Sequence, residues 1–187
     1  LEHRRQRQMC IRDSSHVDHL GMAPWLPANY NTNLHGTKLT SEISHMMWND
    51  CYKISSIEKY PLPWDKRDID LAMDSWVTHE FNEEWQQENW RLSLVNAGHI
   101  PGAGMLKIEK DNKNILFTGD FDTRDSPLTN GAKPYNVDML FIEGTYGGRD
   151  HANQQEELDR FIENVIRVTD KGGTCLLYTS DAADDVR

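Results

Sequence analysis

The chain is poor in cysteine, in positive charge and in long apolar runs. Its 187 residues hold three cysteines, and two of these, Cys10 and Cys175, fall in terminal segments set apart below. Only Cys51 remains in the body of the chain. A disulfide framework is thereby excluded, and a reducing cytoplasm is the expected compartment. No apolar run approaches the ~20 residues needed to span a membrane, so no membrane association is expected. Against 30 Asp+Glu stand 20 Lys+Arg, a net charge of −10. A surface of that sign repels nucleic acid unless local cations or metal ions override it. By itself the chain is expected to bind RNA poorly without specificity. Internal repeats and low-complexity linkers are absent too, and the length suits one ordinary domain.

The two ends do not read as natural protein. Residues 4–13 are RRQRQMCIRD and residues 175–184 are CLLYTSDAAD. A back-translation of the first, reverse-complemented and shifted by one frame, can be read into the second. Both resemble the translated adapter of transposase-based library preparation. Residues 1–14 and 175–187 are therefore set apart, with Ser14 and Thr174 at the junctions, and residues 15–174 are read as the domain. Setting them apart removes five basic residues (Arg4, Arg5, Arg7, Arg12, Arg187) and five acidic ones (Glu2, Asp13, Asp181, Asp184, Asp185), so the charge of the body stays at −10.

What is present is a change of rhythm. Pro24 and Pro27 exclude a long helix near the start. Residues 37–54 read as a helix on Leu39, Ile43, Met46, Met47 and Ile54, and residues 67–76 as a second on Ile69, Met73 and Trp76. Residues 81–89 are polar and read as a loop. From Trp90 to Val95 apolar and polar residues alternate through Trp90, Leu92 and Leu94, predicting a strand with one buried face. Short strands follow at 105–109 and 115–118, with a turn at 111–114. The apolar run 137–142 suits a strand buried on both faces. Residues 153–168 form an amphipathic helix on Leu158, Phe161, Ile162, Val165 and Ile166, stopped near Gly172. The late alternation of strands and helices gives an α/β class.

Four short pieces place a His, Asp or Glu at the end of an apolar run or in a turn. They are Ser15-His16-Val17-Asp18-His19, Asn96-Ala97-Gly98-His99, Thr118-Gly119-Asp120-Phe121 and Ile142-Glu143-Gly144-Thr145-Tyr146. Strand ends of an α/β sheet are where sites assemble on a rigid scaffold. His16, Asp18 and His19 cannot all face one way on a strand, but in a tight loop they can wrap a cation. Imidazole and carboxylate oxygen are ligands zinc accepts. Taken one at a time, each histidine reads equally as a satisfied surface or core residue. His35, His45 and His79 match no ligand motif and are read as surface or packing residues. His151 is noted because it follows the Glu143 loop. The six tryptophans read as packing rather than as a base-stacking platform.

In order, the pieces resemble the metallo-β-lactamase superfamily, whose signature is H-x-H-x-D-H followed by a lone His and a lone Asp. The stretches AGHIPGAG, FTGDFD and FIEGTYGGRDH are similar to its β-CASP branch, which contains RNase J and the archaeal and eukaryotic 3′-end processing nucleases. The resemblance covers nearly all of residues 15–174. It implies a partial metallo-β-lactamase fold, an αββα sandwich. It also implies a phosphodiester hydrolase acting on RNA with two zinc ions and a metal-bridging hydroxide. By the same resemblance His16 and His99 would ligate one zinc, Asp18 and His19 the other, and Asp120 would bridge. Asp18, Asp120 and Glu143 would be the catalytic carboxylates, Glu143 from outside the ligand set. A homodimer of the full-length protein is a further implication.

The chain departs from the pattern in three ways. Ser14 stands where the signature has its first His. The early strands of the domain, and the β-CASP insertion with two later histidine motifs, are not among residues 15–174. On this reading the chain by itself is inactive and poorly folded, metal contributing to stability only if enough ligands converge. Two alternatives stay open: a thioester or lactone hydrolase of the same superfamily, and a non-catalytic scaffold that has kept the fold.

Overall fold

The computed structural model describes residues 9–11, 14–148, 150 and 152–176. By internal contacts the chain divides into two units, Leu1–Glu143 and Gly144–Arg187.

The first unit opens with β1 (Met9–Ile11), then two short helices, α1 (Val17–Leu20) and α2 (Trp25–Asn29). Strand β2 (Asn33–Gly36), the long helix α3 (Lys38–Glu58), α4 (Lys66–Asp74) and β3 (Trp76–Thr78) follow. Strands β1, β2 and β3 form a three-stranded parallel sheet. Met9–Ile11 lies in the adapter-like segment. Its pairing with β2 is made through main-chain groups, which any extended triplet offers to an open strand edge.

Helix α3 starts at Thr37, whose hydroxyl accepts from the Thr40 amide. Its buried face is Thr40, Ser41, Ser44, Trp48 and Ser55. This corrects the stripe expected from the sequence: Leu39, Met46 and Ile54 of that stripe are exposed. Small hydroxyl residues let the helix backbone approach its neighbours, and one tryptophan supplies the apolar bulk. Trp48 is fully buried and donates its indole N–H to Leu20 O at 3.0 Å. Around it gather Leu20, Ala23, Leu34, Trp64, Ile69 and Ala72, the core of this half.

A capping box on Asp65 and Asp68 starts α4. The helix ends at Asp74 rather than Trp76. Trp76 instead opens β3 and still packs on the same core.

A five-stranded sheet completes the unit, in the order β4 (Glu84–Gln87), β5 (Trp90–Asn96), β6 (Gly104–Lys110), β7 (Lys113–Phe117) and β8 (Met139–Phe141). Pairing is antiparallel from β4 to β7 and parallel between β7 and β8. Strand β4 corrects the loop expected at 81–89. It is an edge strand with a single apolar residue, Trp85, stacked inward on His79, and it is held otherwise by its pairing with residues 90–93 of β5. Strand β5 is buried on both faces from Leu92 to Val95, not on one. The reverse holds for β8, where a doubly buried strand was expected: Met139, Leu140 and Phe141 are each about half exposed. It is the other edge strand, so its apolar content does not imply burial here. Phe141 stacks on Phe117 of the adjacent strand, ring centroids 4.4 Å apart.

In the second unit, α5 (Gln154–Thr169) is capped by Asn153, which accepts from the Gln155 and Glu156 amides. Gly172 follows it at a positive φ of 73°, as a helix stop requires. The mixed α/β class is thus present. Arg149 and His151 of the last motif lie outside the described residues, as do residues 177–187.

Candidate metal centre

Sheet topology brings the centre together. Strands β5 and β7 are both antiparallel to β6, so they run the same way and finish at the same end of the sheet. His99 follows β5 by three residues, and Asp120 follows β7 by three. The two loops are tied by a main-chain bond from Asp122 N to Ala97 O at 3.0 Å, and Ala132 N donates to Asp122 O at 2.7 Å. Gly98 takes φ +71°, and a Cβ there would come within 2.3 Å of Asp122 O. Only glycine lets these loops approach so closely.

The third contribution comes from α1. His16 is its N-cap, and Asp18 and His19 lie within it, so the cluster sits on one helical turn rather than in the expected loop. Two indoles fix that turn from below: Trp48 Nε1 donates to Leu20 O, and Trp64 Nε1 to Gly21 O at 2.7 Å. Leu20 is buried in the core beneath.

Asp120 is where these pieces meet. Its Oδ2 lies 3.2 Å from His19 Nε2, 3.8 Å from His99 Nε2 and 3.9 Å from His16 Nδ1. The rings of His16 and His99 stand edge-on, centroids 5.0 Å apart. One ligand atom each from His16, His99 and Asp120 falls within a span of 4.8 Å, a grouping able to hold a metal ion. Asp18 is more exposed and reaches His19 Nε2 with Oδ2 at 3.4 Å. Glu143 contacts the backbone of the Asp120 turn. Its Oε1 accepts from the Phe121 amide at 3.5 Å, and its own amide donates to Thr118 Oγ1. It therefore grips the backbone on both sides of Gly119-Asp120.

The donor set fits a divalent metal. Imidazole nitrogens and a carboxylate oxygen are borderline and hard ligands suited to zinc and its neighbours. Nε2 of His99 is buried and makes no hydrogen bond, a cost that a bound cation would relieve. A cavity of about 500 Å³ sits at the opposite end of the sheet, lined among others by Trp90, Arg91, Glu109, Lys110 and Lys113. There Arg91 pairs with Glu109, and Lys113 with Asp138, so it offers no comparable convergence.

Sequence reasoning gave no role to a second histidine pair. His35 and His79 are buried, with His35 Nδ1 2.9 Å from His79 Nε2. Trp85 stacks on His79 at 3.8 Å between centroids. Burial, then the neighbouring His79, pushes His35 down to about 4. Burial lowers His79 also, with Glu83 acting in the opposite sense. These are packing histidines, as expected, though deeper than a surface reading allowed. His45 is exposed.

No protein-family model matches the chain. Among curated proteins it is 31% identical to RNase aCSPSF2 of Saccharolobus solfataricus, over 87% of this chain and 33% of that protein. It is 29% identical to Probable RNase MJ4 of Methanocaldococcus jannaschii, over 92% of this chain and 42% of that protein. With Cleavage and polyadenylation specificity factor 73 of Drosophila melanogaster it shares 31% identity, over 87% of this chain and 24% of that protein. The chain thus spans between about a quarter and two fifths of the length of these relatives. Its homologues are hydrolytic enzymes whose kind implies a metal cofactor. More narrowly, they are β-CASP metallo-β-lactamase nucleases of the 3′-end-processing and RNase J kind.

Proposed function

We propose that the chain carries the metal-binding segment of a zinc-dependent ribonuclease that hydrolyses phosphodiester bonds in RNA processing or decay. One observation carries the reading: nitrogens of His16, His19 and His99, from two separate elements, converge on Oδ2 of Asp120 at 3.2 to 3.9 Å. The similarity to proteins named as RNases supports the substrate class.

In this reading His16 and His99 would hold one zinc ion, Asp18 and His19 the other, and Asp120 would serve both. Bound there, the metal pair would supply an activated water and neutralise charge for an in-line displacement at phosphorus. The chain's own residues do the placing. Asp120 fixes the spacing of the imidazoles. Glu143, through the Phe121 amide, holds the turn that presents Asp120. The two indole donors beneath α1 keep His16 and His19 from drifting. No protein nucleophile is needed.

Residues 15–174 are proposed as the natural segment, in an αββα sandwich that further strands and a β-CASP insertion would complete. The 187-residue chain alone is proposed to be inactive on RNA. Among the described residues no helix is long and apolar enough to cross a membrane. Cytoplasmic residence, and a homodimer of the full-length protein, belong to the same proposal.

The test is made on the product of the complete genomic reading frame, incubated with end-labelled single-stranded RNA. Cleavage that needs zinc, stops with chelator and is lost in Asp120→Asn supports the proposal. Hydrolysis of a thioester or lactone with RNA left intact would overturn the substrate assignment. A purified protein without zinc and without any hydrolytic activity would identify a scaffold instead.

A further inference from the structure

We propose that the hydroxyls of Thr37 and Thr40 are positioning groups for His99, and through it for the metal centre. The inference rests on the metal-site reading above and adds residues to it that neither motif nor ligand chemistry singles out.

The geometry runs as a short chain of contacts. Gly102 O accepts from Thr37 Oγ1 and from Thr40 Oγ1, each at 2.9 Å. Thr40 is fully buried and Thr37 nearly so. Gly102 is the third residue of the turn Ile100–Ala103, closed by Ala103 N on Ile100 O at 3.0 Å. Pro101 in second place and a Gly at φ +88° in third are what a type II turn needs. A Cβ on Gly102 would stand 3.0 Å from Thr37 Oγ1 and 3.0 Å from Thr40 N. The turn is therefore seated directly on the start of α3.

His99 is the residue immediately before this turn. On its other side, Gly98 N is held by Asn96 Oδ1 at 3.1 Å. The His99 Nε2 atom has no hydrogen bond of its own, so the clamped backbone on either side sets where that atom lies. Helix capping accounts for Thr37, whose oxygen accepts from Thr40 N at 3.1 Å. Capping does not account for the Thr40 hydroxyl. That hydroxyl donates to Gly102 O, with Thr37 Oγ1 only 3.0 Å away beside it. A carbonyl that collects two buried hydroxyl donors fills both its lone pairs and is held in direction as well as distance. The platform below is a 21-residue helix anchored by Trp48, so a shift at the turn is not absorbed there. Groups that orient a ligand from outside the coordination sphere commonly alter metal affinity 10- to 100-fold.

The experiment is a cobalt(II) titration of the product of the complete genomic reading frame, read by the visible absorption of the bound ion and by competition with a chromophoric chelator. Metal-free melting temperatures are taken on the same samples. Thr40→Val removes the hydroxyl at nearly constant volume and is expected to weaken cobalt binding about tenfold and to change the visible band. Thr40→Ser, which restores the hydroxyl, is expected to recover both. If Thr40→Val does not fold, Thr40→Ala carries the same readout with less bulk. Wild-type affinity and an unchanged band in a folded variant lacking the hydroxyl would overturn the proposal, whatever its melting temperature. No cobalt binding by the wild-type protein would instead bring down the metal-site reading, and this inference with it.

Discussion

Nε2 of His19 and Oδ2 of Asp120 lie 3.2 Å apart, although one belongs to a helical turn near the start of the chain and the other to a loop after β7. One ligand atom each from His16, His99 and the same Asp120 falls within 4.8 Å, a grouping able to hold a cation. Zinc is therefore expected to raise the melting temperature of the 187-residue chain. At a free concentration about 100 times the dissociation constant the gain is about 2.7 kcal/mol. Asp120→Asn keeps the shape, removes the charge and is expected to lose most of that gain. Calorimetry with and without zinc makes the comparison, and an undiminished rise in the variant would count against Asp120 as a ligand.

The His35 and His79 pair makes an acid-sensitive contribution to stability. His35 is pushed down to about 4 in the folded chain, whereas an unfolded histidine takes its proton near 6.5. Between those values the unfolded state binds the proton and the folded state does not. Stability is thus fully present above about pH 6.5 and falls as the pH drops toward 4. The loss from His35 is about 2 kcal/mol at pH 5. Urea unfolding at pH 7 and pH 5 measures it, and His35→Gln is expected to flatten the difference between the two.

Gly98 sits where the loops after β5 and β7 touch. A methyl group there would meet Asp122 O at 2.3 Å and Ala132 N at 2.5 Å, on a backbone at φ +71°. Gly98→Ala is expected to cost about 2 kcal/mol or more, combining left-handed strain with the clash. Metal affinity should drop alongside, since the same contact spaces His99 from Asp120. Thermal melts together with a zinc titration check both halves, and an unshifted melt would show that the loops can part without penalty.

Deleting residues 1–13 should leave zinc affinity unchanged and the melting temperature within about 2 °C, a difference of about 1 kcal/mol or less for a domain of this size. Met9–Ile11 pairs with β2 through the main chain at a sheet edge. A chain that no longer unfolds cooperatively after the deletion would show that the segment belongs to the fold.

The residues of the candidate site drew notice in the sequence because each follows a strand or opens a helix, and because His16, Asp18 and His19 crowd into four positions. The α/β class and the β5–β7 meander were legible from alternation. What stayed hidden depends on contacts between distant segments. Strand β4 is polar, and only its partners on β5 make it a strand. The buried face of α3 is written in Thr40, Ser41 and Ser44 rather than in its methionines, because close helix approach favours small side chains over greasy ones. The run at 137–142 is apolar, but apolar content does not reveal whether a strand lies at the middle or the margin of a sheet. Thr37 and Thr40 carry no catalytic signature. Beyond the helix cap that Thr37 supplies, only the carbonyl of Gly102, brought from more than sixty residues away, gives their hydroxyls a task.

The tight link between β6 and β7 has a consequence at the far end of the molecule. Lys110 pairs with Lys113 across Asp111 and Asn112, both at positive φ, the two-residue loop that matches the natural twist of a hairpin. That loop works as a ruler: it decides which rung of β7 lies opposite which rung of β6, and so how far along the sheet Asp120 emerges. One inserted residue there would turn every later side chain of β7 to the opposite face. The carboxylate would be swung away from its three imidazoles by a change made a whole strand's length from them.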